Sequence, residues 1–116
     1  MGDYMSDRPI TTIDTERSVI TLINVYEVAP EKQAELAQLL AEGTEQVMRH
    51  QPGFVSVNIH CSLDGTRVVN YAQWASEEDF ERMMRTPEAQ AQLRRFGALA
   101  KSVLPALYKV SSIHVK

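Results

Sequence analysis

At 116 residues, with 44% hydrophobic and 23% charged side chains, the chain fits one domain with a modest core. A net charge of −3, with no basic patch carrying interleaved aromatics, argues against nucleic acid as a partner. No apolar run approaches the roughly 18 residues of a membrane span, so no membrane partner is expected.

Residues 1–16 read as a polar arm with a short extended piece near residues 10–13, and residues 17–116 as the folded domain. The start MGDYMSDRPI is acidic and polar, without the basic and then apolar pattern of a secretory signal. Together with a lone Cys61, which forms no internal disulfide, this leads to the expectation of a cytoplasmic protein.

SVITLINVYEV, residues 18–28, is β-branched and predicts the first strand. A helix is predicted from Glu31, with Leu36, Leu39, Leu40, Gly43 and Val47 forming one apolar stripe before Gln51-Pro52-Gly53 closes it. FVSVNIHCS alternates and predicts a second strand over residues 54–62, followed by an Asp64-Gly65 hairpin turn. The third strand is predicted over residues 66–75. Ser76 then reads as an N-cap for a short helix, with Glu77, Glu78 and Asp79 in its first turn. Thr86-Pro87-Glu88 restarts a helix whose apolar side runs through Ala89, Leu93, Phe96, Ala100 and Val103, with Pro105 as its stop. The last strand is predicted over residues 106–115.

The order is βαββαβ, an α+β ferredoxin-like fold with helices on one face of an antiparallel sheet. In the first strand Val19, Thr21, Ile23 and Val25 face one way, and Ile20, Leu22, Asn24 and Tyr26 the other. Both faces are largely apolar, yet one chain has helices for only one of them. A homodimer joined sheet to sheet is the economical way to cover the second.

In RVVNYAQWAS the same alternation places Val68, Asn70, Ala72 and Trp74 together. An amide and an indole flanking a methyl describe a hollow with polar groups in its wall. Asn24 lies on a neighbouring strand with similar neighbours, so two amides are expected to converge near Trp74. Each residue also has a purely structural reading: Asn70 and Asn24 as buried amides bonded to backbone, Trp74, Met83 and Met84 as core, and Cys61 as a buried inert thiol. His50, His60 and His114 lack ligand spacing, and Cys61 beside His60 on a strand points to the opposite face, so no metal site is expected. No glycine-rich phosphate loop is present, so no bound nucleotide is expected either.

TLINVYEVAPEK, PGFVSVNIHCSLDGT and VVNYAQWASEEDF resemble the antibiotic biosynthesis monooxygenase family, and the resemblance runs from about Val19 to Val115. It is nearest to the actinorhodin-type, quinone-forming enzymes of aromatic polyketide pathways. It implies a dimeric α/β barrel and an enzyme that oxygenates a polycyclic phenol or hydroquinone with molecular oxygen, without metal, flavin or haem. By the same resemblance Asn70 holds a substrate oxygen, Trp74 stacks on the rings or donates its indole N–H, Arg94 stabilises an anion and His60 accepts a proton. Asn24, Tyr26, Ala72, Phe80 and Met83 are the expected substrate contacts. Phe80 stands where those enzymes carry a tyrosine, which leaves Tyr26, Tyr71 or Tyr108 as the replacement phenol. A haem-degrading branch of this fold needs a histidine near Leu93 as iron ligand, and leucine ligates no iron. A non-catalytic dimer binding a small aromatic ligand, and a polyketide cyclase, remain the alternative functions.

Overall fold

The computed structural model describes residues 8–116. Its elements run β1 (Ile20–Glu27), α1 (Gln33–Gln46), β2 (Phe54–Cys61), β3 (Arg67–Trp74), α2 (Glu77–Met84), α3 (Pro87–Leu99) and β4 (Ser102–Tyr108). Single 3-10 turns at Pro30–Lys32 and Met48–His50 flank α1. What was read from MGDYMSD falls outside the described residues.

Every strand pair is antiparallel and the sheet order is β2-β3-β1-β4, the ferredoxin-like α+β arrangement. The sheet of one chain is open, with β2 and β4 at its edges. The central strands β1 and β3 are in register from Ile20 opposite Trp74 to Glu27 opposite Arg67.

Local chemistry sets each element. Leu36 and Leu40 lie one helical turn apart on α1, are fully buried, and each contributes about 1.5–3 kcal/mol by burial. Gly43 continues their stripe. A Cβ there would come within 2.7 Å of the Phe96 ring, so the missing side chain lets α1 and α3 close over the sheet. In the hairpin, Gly65 takes a φ of +82°. Beside it Asp64 Oδ1 accepts from Ser62 Oγ, Thr66 Oγ1 and Thr66 N at 2.7, 2.7 and 3.0 Å. These bonds, from Ser62 first and then Thr66, pull its carboxyl down to about 2. Gln33 Nε2 donates to the Ser62 and Arg67 carbonyls at 2.9 and 3.0 Å and so pins the hairpin to α1. Ser76 Oγ accepts from Asp79 N at 3.0 Å and caps α2, and Thr86 Oγ1 accepts from Ala89 N at 3.2 Å and caps α3.

The C-terminal third departs from the sequence pattern. α3 ends at Leu99 rather than near Pro105, and residues 102–108 form β4, so Val103 and Pro105 lie in a strand opposite Tyr26 and Asn24. Pro105 is tolerated because β4 is an edge strand. Residues 109–115, expected to be strand, carry no regular structure. Cys61, expected to be buried, is exposed, because it is the last residue of an edge strand.

The two sheet faces divide as the alternation requires. Leu22, Asn24, Tyr26, Asn70, Ala72 and Trp74 look toward the helices. Ile23, Val25, Val69 and Tyr71 look the other way, where no helix of the described residues lies. Residues 10–13 form no strand. Residues 11–13 lie against this open face, with Thr11 Oγ1 donating to Asn58 Oδ1 at 2.8 Å and Ile13 sharing a hollow with Ile23 and Tyr71.

Candidate functional site

Between the sheet and the helices lies a cavity of about 230 Å³. Alternate residues of the two central strands supply one wall: Leu22, Asn24 and Tyr26 from β1, and Asn70, Ala72 and Trp74 from β3. Ala72 presents only a methyl, which leaves room between the amide on one side and the indole on the other. The helices supply the opposite wall, with Thr44 from α1, Phe80, Met83 and Met84 from α2, and Leu93 and Phe96 from α3.

Three polar atoms on residues that line this apolar space have no hydrogen-bond partner among the described residues: Asn24 Oδ1, Asn70 Oδ1 and Trp74 Nε1. Asn24 and Asn70 are direct cross-strand partners, and Trp74 follows Asn70 on the same face. Buried polar groups are nearly always paired, and an unpaired one costs about 1–3 kcal/mol. Three on one cavity make a wall that lacks something to bond. The indole plane is fixed edge-on by Phe54, at 5.6 Å and 89°, and by Phe80, at 6.4 Å and 67°.

Asn24 Nδ2 donates to Tyr26 Oη at 3.5 Å. Burial pushes the Tyr26 hydroxyl up to about 12, with the Asn24 bond pulling slightly the other way, so Tyr26 is a neutral phenol at working pH. No charged side chain among the described residues lines the cavity. Among the described residues no group of three or more His, Cys, Asp or Glu side chains is placed to hold a metal ion.

Of the residues singled out from the sequence, Asn24, Tyr26, Asn70, Ala72, Trp74, Phe80 and Met83 line this one cavity. Two do not. His60 pairs with Val69 on β3 and stands exposed on the open face of the sheet. Arg94 is exposed on α3, because one residue past Leu93 rotates a side chain by about 100° out of the buried stripe. Tyr71 and Tyr108 line the open-face hollow, so among the described residues Tyr26 is the phenol in the cavity. Thr44, Gly97, Val103 and Pro105 line it without having been expected. Thr44 gives no polar signal, since its hydroxyl donates to Leu40 O of its own helix at 2.8 Å. Val103 and Pro105 were hidden by their assignment to the end of a helix.

Residues 19–95 match the family model for antibiotic biosynthesis monooxygenase. The chain belongs to that family. Within it, the chain is 52% identical over 81 residues to tetracenomycin-F1 monooxygenase of Streptomyces glaucescens, covering 70% of this chain and 72% of that protein. A monooxygenase from the gene ActVA-Orf6 of Streptomyces coelicolor, solved in complex with nanaomycin D, superposes with a TM-score of 0.73 at 27% identity, over 89% of this chain and 96% of that one. SnoaB of Streptomyces nogalater, described as a cofactor-independent oxygenase, has the same fold at 24% identity and a TM-score of 0.71, over 83% and 96% of the two chains. The cavity is thus the candidate active site of a monooxygenase-family enzyme. Its wall offers two amide oxygens that accept hydrogen bonds and one indole N–H that donates, in otherwise apolar surroundings.

Proposed function

We propose that this chain is a cofactor-independent monooxygenase that oxidises a polycyclic phenol or hydroquinone to a quinone, in aromatic polyketide biosynthesis in the cytoplasm. The observation that carries this is the convergence of Asn24 Oδ1, Asn70 Oδ1 and Trp74 Nε1, all unpartnered, on one apolar cavity. A hydroxylated aromatic ring system answers all three. A substrate hydroxyl donates to an asparagine oxygen, an adjacent oxygen accepts from the indole, and the flat rings fill the space beside Ala72. The relatives named for tetracenomycin F1 and solved with nanaomycin D support an aromatic substrate.

The chemistry needs little from the protein beyond binding and electrostatics. The phenol loses its O–H proton, and the electron-rich anion passes an electron to dioxygen. The radical pair joins at a ring carbon to give a peroxide. Loss of that carbon's hydrogen with cleavage of the O–O bond releases water and leaves a carbonyl. One oxygen atom enters the product, the other leaves as water, and the substrate supplies every electron. Trp74 N–H faces the oxygen where negative charge resides, a donor worth roughly 3–4 kcal/mol in a dry site. In this reading neutral Tyr26 supplies a proton to the peroxide and regains it from the one the substrate phenol releases. With no charged side chain among the described residues in the wall, the substrate's own acidity governs formation of the anion. Two chains joined through their open faces complete the assembly, with His60 at that junction rather than at the chemistry.

Oxygen uptake by metal-stripped protein with naphthols, anthrones and hydroquinones tests this reading. Expected are one O₂ consumed per quinone, label from ¹⁸O₂ in the new carbonyl, and loss of both on Asn70→Ala or Trp74→Phe. A copurifying flavin or metal required for turnover would overturn the mechanism, and binding without product across the panel would favour a binding protein.

A further inference from the structure

Helix α3 carries Gly97 at the flank of its buried stripe. Leu93, one turn earlier, and Phe96, its neighbour, both line the cavity, and Gly97 lines it too. Unlike them it is exposed, as are Val103 and Pro105 on the facing edge strand. The polar side chains lie further in, on the central strands: Asn24 stands one strand in, opposite Pro105, and Asn70 and Trp74 stand one strand beyond it, with Asn24 and Trp74 6% and 2% exposed. The cavity therefore runs from an apolar rim between α3 and β4 to polar groups on the central strands.

The glycine has no local reason to be a glycine. Its φ is not among the positive values, which belong to Gly53 and Gly65. A Cβ built on it meets nothing within 4 Å, whereas one on Gly43 would strike Phe96. Neither backbone strain nor close packing excludes a side chain here, and a helix interior favours alanine over glycine. A side chain at residue 97 would extend into open space beside the residues that line the cavity.

We infer that Gly97 is the aperture residue of this site. The oxygenated ring enters first and lodges against Asn24, Asn70 and Trp74, the trailing rings pass out over Gly97, and this position limits how many fused rings the enzyme accepts. The substrate orientation rests on the function proposed above; the aperture itself rests on the geometry alone.

The test separates the two. Trp74 is the chain's single tryptophan, and it is buried in the cavity wall, so a small neutral quencher reaches it through the rim. Acrylamide quenching is measured for wild type, Gly97→Ala and Gly97→Leu, each shown folded by circular dichroism. The expected order of quenching constants is glycine, then alanine, then leucine as the lowest. Oxygen uptake is then compared between a two-ring naphthol and a four-ring phenol. Gly97→Leu is expected to raise the two-ring preference in kcat/KM about tenfold, through KM for the larger substrate. Equal quenching constants in folded variants overturn the aperture, and an unchanged ring-size preference overturns the orientation. Ordered quenching with no turnover of any phenol by wild type supports the aperture and sinks the proposed oxygenation. Should Gly97→Leu fail to fold, Gly97→Ala decides alone, its Cβ meeting open space and its helix propensity raising the melting temperature.

Discussion

Asn24 and Asn70 face each other as Cα partners across the β1–β3 pair, and each leaves its side-chain oxygen unbonded within the same cavity. A structural pair of buried amides would bond to each other or to backbone. Replacing Asn70 by leucine removes an unsatisfied polar group while keeping similar volume, which is neutral to stabilising by about 1 kcal/mol, whereas Asn24→Leu also removes the donor to Tyr26 Oη and offsets that gain. Oxygenation should fall by about 10²–10³ in kcat, the cost of losing one donor or acceptor aimed at the reacting oxygens. Urea denaturation and oxygen uptake on the same variants check both signs. Destabilisation with full activity would return the pair to a structural role. The double substitution should lose less than the sum of the singles, with about 0.5–3 kcal/mol of coupling expected for residues sharing one ligand.

Trp74→Phe separates the indole N–H from the aromatic surface. The phenylalanine keeps edge contacts to Phe54 and Phe80, so the fold should survive with a loss of about 1–2 kcal/mol from smaller volume. Activity should drop about 10²-fold, because the donor is gone from a wall with no cation to replace it. In wild type the single tryptophan should be quenched by bound naphthol or anthrone. A phenylalanine variant that oxygenates at the wild-type rate would show that ring stacking alone suffices.

How much of this was legible in the sequence follows from the periods involved. A strand repeats every two residues, so Asn70, Ala72 and Trp74 fall on one face whatever the exact ends of the strand. The order of elements then fixes β1 as the neighbour of β3 and brings Asn24 opposite Asn70. Helix positions are less forgiving, because one residue of offset turns a side chain by about 100°. Arg94 was lost that way, next to a Leu93 that does line the cavity. The end of α3 was obscured because Ala100 and Val103 continue an apolar spacing that two elements in fact share, and because Pro105 reads as a stop when it sits in an edge strand. Gly97 carries no pattern at all; its place emerges only when the empty space around it is seen.

Tyr26 gives the fold a testable alkaline limit. Its hydroxyl is raised by burial to about 12 from an ordinary 10.0. Below pH 10 both folded and unfolded chains hold the proton, and this residue adds no pH dependence. Between about 10 and 12 the unfolded chain releases its proton while the folded chain keeps it, so stability falls with rising pH, by roughly 3 kcal/mol in all. Tyr26→Phe should flatten that part of the curve in urea melts taken from pH 9 to 12. The same variant should slow oxygenation at neutral pH if the phenol is the proton source. A curve of unchanged slope in Tyr26→Phe would place the titration elsewhere, and an unchanged rate would leave the peroxide to be protonated by solvent.

The open sheet face predicts the oligomer. Val69, Val25 and Leu104 form one aliphatic row across β3, β1 and β4, with His60 continuing it on β2 and Leu104 71% exposed. A row of this kind on a face without helices needs a cover, and a second copy supplies an identical one. Val69→Lys sets a charge in the middle of the row, far from the cavity on the opposite side of the sheet. It should weaken self-association by roughly 2–4 kcal/mol, as loss of a central interface contact does, and shift the light-scattering mass from two chains toward one at micromolar concentration. Arg95→Ala, exposed on α3 on the opposite side of the sheet, serves as the comparison and should leave the mass unchanged. If the wild-type protein is a monomer throughout, the arm and residues 109–116, which already lie beside Ile23 and Tyr71, are cover enough and the dimer is lost. If the mass is that of two chains and Val69→Lys does not change it, the chains associate through another surface, of which the exposed edge of β4 is the first to test by Leu107→Lys.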